Sequence, residues 1–81
     1  MPKIFETDNF KRIKNKLNED YHIRLEKLIR KIIENPEIGK SMQYQRKGTR
    51  ELYVGAFRLS YSYDKNLDTI FILDFYHKDE Q

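Results

Sequence analysis

The spacing of apolar side chains changes once along this chain, and that change limits the folds open to it. Up to residue 33 the apolar residues recur every three or four positions, and after residue 50 they recur every second position. The first spacing builds an amphipathic helix and the second a half-buried strand. Helices followed by strands, rather than alternating with them, predict an α+β domain. Its helices gather on one face of an antiparallel sheet, because the sheet is the only apolar surface available to them.

Lys3 to Thr7 reads as a short N-terminal strand. Asp8 or Asn9 is placed to cap a first helix carrying Phe10, Ile13 and Leu17 on one face. A polar break follows at residues 18–20, with Asp20 as the expected cap of a second helix. Leu25, Leu28, Ile29, Ile32 and Ile33 form the cleanest stripe in the sequence. Pro36 ends that helix, since a proline pushes the residue before it out of the helical region. Residues 35–49 hold a proline and two glycines without periodicity, which predicts a long loop of the kind that often serves function.

Three antiparallel strands are expected after the loop. Leu52–Val54 ends at Gly55; Phe57, Leu59, Tyr61 and Tyr63 alternate with smaller residues; Asp64–Asp68 reads as a turn. Residues 69–76 are apolar at nearly every position, which suggests a central strand covered on both faces. With 81 residues there is room for one domain, taken as 1–81. No cysteine is present, so disulfides, thiolate metal sites and a cysteine nucleophile are excluded. No apolar run approaches the roughly 18 residues of a membrane span. The expected location is the cytoplasm.

Charge divides unevenly. Residues 1–50 carry 13 Lys/Arg against 7 Asp/Glu, and residues 51–81 carry 3 against 6. Between Lys40 and Arg50 there are four cations and no acid. The basic half is a candidate polyanion surface; solvated helix faces are the plain alternative. On the strand at 56–63, Arg58 stands among Ala56, Ser60 and Ser62, opposite the Phe/Leu/Tyr face. A long cation among small neighbours leaves room for an anion in its guanidinium fork. A turn at 64–68 pairs Tyr63 with Thr69 and sets Arg58 opposite Asp74. His77 and Lys78 follow the last strand, where a His/Lys pair can serve as acid or clamp, or simply belong to a solvated tail. Five tyrosines (44, 53, 61, 63 and 76) could stack on bases, with Tyr61 and Tyr63 the more core-like. One histidine among acids near the C-terminus fits no metal-ligand spacing, and no metal or other cofactor is expected.

Three stretches carry a family resemblance. ENPEIGKSM after an amphipathic helix resembles the helix-end segment of RelE/ParE-family toxins. LYVGAFRLSY resembles their strand motif, in which a glycine precedes an aromatic–arginine pair and the strand ends in tyrosine. ILDFYHKDEQ resembles their last strand with its His-Arg/Lys ending. The resemblance implies a curved antiparallel sheet with two helices on one side. It implies the toxin of a type II toxin–antitoxin system, neutralised by a RelB-like antitoxin that wraps it. RelE-like members cut messenger RNA in the ribosomal A site without a metal, whereas ParE-like members inhibit DNA gyrase.

Carried over by position, Arg58 matches the arginine of the strand motif, Lys78 the basic residue after the last strand, and His77 the histidine often before it. Arg50 is near a position where basic residues are common. Glu51 and Tyr53 stand where RelE-like nucleases often carry cations, and the family's C-terminal tyrosine has no match up to Gln81. The leading expectation is a ribosome-dependent mRNA interferase. Arg58 would hold the scissile phosphate, His77 or Lys78 would serve the leaving oxygen, and Lys40, Arg46, Lys47 and Arg50 would bind RNA. A non-catalytic ParE-like toxin or an inactive homologue is the alternative. The expected partners are an antitoxin, the ribosome and mRNA, with a homodimer or a toxin–antitoxin heterotetramer as assembled forms.

Overall fold

Among the described residues, five strands form one sheet in the order β1-β5-β4-β3-β2, with two α-helices between β1 and β2 in sequence. The computed structural model describes residues 1–80; the side chains of Arg46 and Glu80 lie outside that description. β1 (Lys3–Glu6) runs parallel to β5 (Thr69–His77). β2 (Lys40–Ser41), β3 (Arg50–Val54) and β4 (Phe57–Asp64) complete the sheet with antiparallel pairings.

Both helices begin on a side-chain oxygen, one or two residues earlier than the sequence suggested. α1 (Asp8–Asn15) is capped by Thr7, whose hydroxyl oxygen accepts from Phe10 N, in place of Asp8 or Asn9. α2 (Glu19–Glu34) is capped by Asn18, which accepts from Tyr21 N, in place of Asp20. Thr7 is preferred because β5 holds it. Its amide donates to Ile72 O and its hydroxyl reaches Ile72 O and Leu73 O at 3.0 and 3.1 Å. α2 ends at Glu34 with Asn35 in extended geometry before Pro36, as the proline requires.

The core lies between the helices and one sheet face. Phe10, Leu25 and Ile32 from the helices meet Val54, Leu59, Tyr61, Ile70, Ile72 and Phe75 from the sheet, all buried. Ile13, Leu17, Leu28, Ile29 and Ile33 pack around them. Among the described residues the opposite face carries no helix, so β5 is covered by helices on one side and not on both. Its outward Phe71 packs instead against Phe5 of β1, with ring centroids 5.8 Å apart.

The register between β4 and β5 corrects a sequence expectation. Arg58 pairs with Tyr76, and Asp74 with Ser60. Two single-residue changes add to this displacement. Asp64 joins β4 and pairs with Thr69, which shortens the turn by one residue, and a bulge lies between Ser60 and Tyr61. A displacement of two residues preserves which face each side chain occupies.

Gly39 shows how tightly the segment after α2 is fitted. A Cβ there would lie 2.8 Å from both Cε1 and the hydroxyl of buried Tyr61, and 3.1 Å from Arg50 Cβ. Tyr61 cannot retreat, because its hydroxyl donates to Pro36 O and accepts from Gly39 N, both at 2.9 Å. Gly39→Ala is expected to destabilise the fold by about 1–3 kcal/mol through overpacking. Thermal unfolding measures it, and an unchanged midpoint would contradict the packing described.

Candidate functional site

Strand alternation decides what the uncovered face displays. Leu52 and Leu59 point to the core, so Glu51 and Tyr53 of β3 and Arg58 and Ser60 of β4 point away from it. One rung holds Tyr53, Arg58 and Tyr76 side by side; the next holds Lys40, Glu51, Ser60 and Asp74. The Arg58 guanidinium lies over the Tyr53 ring, with its carbon 3.9 Å from the ring centroid. Such a stack restricts the rotamers of a long side chain and is worth about 0.5–1 kcal/mol at an exposed site. Tyr53 remains 53% exposed, so its ring is a platform open to solvent.

Beneath this pair the face is built of polar groups. Glu51 is 2% exposed and Ser60 7%. The Tyr76 hydroxyl donates to a Glu51 carboxylate oxygen. A carboxylate removed from water needs such a donor. Asp74 accepts from the Phe75 amide. Charge of both signs therefore stands near Arg58. The face offers one phosphate a fork and an aromatic wall; it is not a continuous cationic track.

The expected site residues separate into three places. Arg58 faces outward. His77 is paired with Phe57 on the adjacent rung and faces the helix side. Its ring meets Phe57 edge-on at 5.3 Å, and Phe57 in turn packs against Tyr21 of α2. His77 Nδ1 accepts from the Asp79 amide at 3.2 Å. Lys78 lies just past the strand, exposed, with its amide donating to Ala56 O. Lys40 is exposed and pairs with Glu51, two residues or roughly 7 Å along β3 from Tyr53, whereas Lys47 is exposed in the loop before β3, beyond the strand's far end. The Arg46 side chain, expected to bind RNA, lies outside the described residues.

Arg50 does structural work. It shares the inward face with Leu52, and its Nη1 donates to Glu37 O at 3.1 Å and Gly39 O at 2.8 Å. Together with Tyr61 it holds the chain leaving α2 against the sheet. Burial raises the Tyr61 phenol above its ordinary value of 10.0, opposed by the amide that Gly39 donates to it. Tyr63, bonded to Asp68 at 2.7 Å, is raised chiefly by that hydrogen bond. The sequence singled out Tyr53 and Tyr76 only as tyrosines that could stack on bases, and Glu51 only as a departure from the family pattern, not as parts of one cluster with Arg58. The alternation that sets Leu52 inward was the signal that could have found Tyr53 and Glu51.

Among the described residues no three His, Asp or Glu side chains converge to hold a metal ion. None of the described helices is long and apolar enough to cross a membrane.

The comparisons with known proteins agree on one fold. The profile of the ParE toxin of the type II toxin–antitoxin system, parDE, matches residues 7–81. The RelBE2 toxin–antitoxin complex of Mycobacterium tuberculosis contains a chain that superposes with a TM-score of 0.84 at 24% identity, covering 95% of this chain and 99% of that one. The intact RelBE complex of E. coli gives 0.83 at 14% identity, covering 95% and 96%. The isolated E. coli RelE toxin gives 0.82 at 14%, covering 95% and 84%. No curated protein matches by sequence.

Proposed function

Because this chain belongs to the ParE toxin family of type II toxin–antitoxin systems, we propose that it halts growth by cutting messenger RNA on the ribosome. The observation that carries the reading is Arg58, aimed away from the helices and stacked on Tyr53. In such a cleavage the 2′-hydroxyl of a ribose gives up its proton to solvent as its oxygen bonds to the adjacent phosphorus, and the bond from that phosphorus to the 5′-oxygen breaks. Negative charge builds on the phosphate oxygens, and a preorganised guanidinium stabilises it where it forms. The leaving 5′-oxygen needs a proton. Lys78 is better placed to supply it than His77, because Lys78 is exposed beyond the strand while His77 packs toward α2. Lys40 and Lys47 bind flanking phosphates. A RelB-like antitoxin is the expected cellular partner, as in the solved RelBE complexes, and the action is cytoplasmic.

A second reading has an observation of its own. Tyr and Arg in contact on an open face are the residue types that dominate protein–protein hot spots, and Glu51 and Asp74 beside them make the face nearly neutral. A ParE-like toxin that binds a protein target would use such a face without chemistry. A purified translation reaction separates the two. Cleavage reading: added toxin cuts the message only when ribosomes are present. Binder reading: the message stays intact while another activity is inhibited.

A further inference from the structure

Tyr44 is the most exposed tyrosine on the protein and stands on a strained backbone. Its side chain is 90% exposed, and its φ is +60°, a left-handed geometry that costs a non-glycine residue on the order of 1 kcal/mol. Nothing in the core requires that ring to be there. It sits in the loop after β2, whose turn closes through Lys47 N donating to Tyr44 O and through Gly48 at φ +94°. The ring forms one wall of a hollow of about 560 Å³ lined also by Ser41, Met42, Gln43, Lys47 and Gly48.

The chemistry around the ring is of one kind. From Lys40 to Arg50 there is no acid. Lys40 and Lys47 are exposed on either side of Tyr44, and Gln43 and Gln45 offer exposed amides. An open aromatic face, flanking cations and neutral donor–acceptor groups are what an unpaired nucleobase needs: a surface to stack on, counter-charge for its phosphates, and partners for its edge. A base inside a duplex cannot present its face to the ring.

We propose that Tyr44 is a stacking site for an unpaired base of single-stranded RNA, with Lys47 on the adjoining phosphate. The inference rests on the reading that RNA is the substrate. It adds a second point of hold at the opposite end of β3 from Arg58, so that the strand is gripped in two places and lies along the uncovered side.

Fluorescence anisotropy of a short fluorescein-labelled single-stranded RNA, titrated with the antitoxin-free toxin, tests it. Tyr44→Ala is expected to weaken binding roughly tenfold, the scale of one base–aromatic stack. Tyr44→Trp should bind at least as well as the native protein. Tyr44→Asn suits the left-handed backbone and lacks the ring, so it should lose as much as Tyr44→Ala while unfolding at the same or a higher temperature. None of these removes a charge, so the salt dependence should be unchanged, whereas Lys47→Ala should lower its slope by about one. Native affinity in both Tyr44→Ala and Tyr44→Asn overturns the proposal. So does a native protein with no affinity for single-stranded RNA, or a loss seen only in binding an acidic antitoxin peptide. Failure of the cleavage reading shows elsewhere: undiminished growth arrest by Arg58→Ala, together with the Tyr44 effect on RNA affinity, would remove the chemistry and keep the site.

Discussion

Alanine at position 58 is expected to abolish growth arrest while the protein keeps its fold. Arg58 contributes little to the core, since among the described residues its face carries no helix and its stack on Tyr53 is worth about 0.5–1 kcal/mol. The unfolding midpoint should therefore fall by only a few degrees. The effect on chemistry is much larger. Removing one preorganised donor from a developing anionic charge costs about 2.7–4 kcal/mol, or ~10²–10³ in rate. Arg58→Lys keeps the charge and loses the planar fork, so it should fall between the two. Tyr53→Ala should resemble a mild Arg58 variant, because the guanidinium then loses its platform. Growth after induction and thermal unfolding of the purified variants read the two effects separately. Full arrest by Arg58→Ala would exclude the mechanism.

Ile32→Ala should come close to unfolding the protein at growth temperature. Ile32 is fully buried between α2 and the sheet, in a core built from few residues. Truncating such a side chain costs about 2–5 kcal/mol, through lost burial and the cavity left behind. At roughly 0.05–0.15 kcal/mol per residue, the whole chain has only on the order of 4–12 kcal/mol to lose. The midpoint should drop by at least ~10 °C. Leu28→Ala, at a half-buried position of the same helix, should cost clearly less. Equal effects at 28 and 32 would mean that α2 does not present the face described.

The period change carried most of the architecture. It placed both helices, put Arg58 on the uncovered face, and identified Leu25, Ile32 and Tyr61 as core. What escaped it was set by contacts distant in sequence. Thr7 caps α1 because the carbonyls of Ile72 and Leu73 hold it. The bulge beside Ser60 and the short turn moved Arg58 from Asp74 to Tyr76, and neither has a local signature. β2 is two residues long, too short for any alternation to show. Two features were legible in hindsight. Alternation from Leu52 turns Arg50 inward to Glu37 and Gly39, and alternation from Phe75 turns His77 toward the helices. Counting cations by segment concealed both, because charge alone does not say which face a side chain occupies.

Mapping of RNA 5′ ends in cells expressing the native toxin or Arg58→Ala, without antitoxin, bears most directly on the uncovered face as the toxic surface. New ends inside coding sequences with the native chain, absent with Arg58→Ala at equal protein level, are the expected result. Growth arrest with no new ends, or the same ends from both proteins, would contradict it.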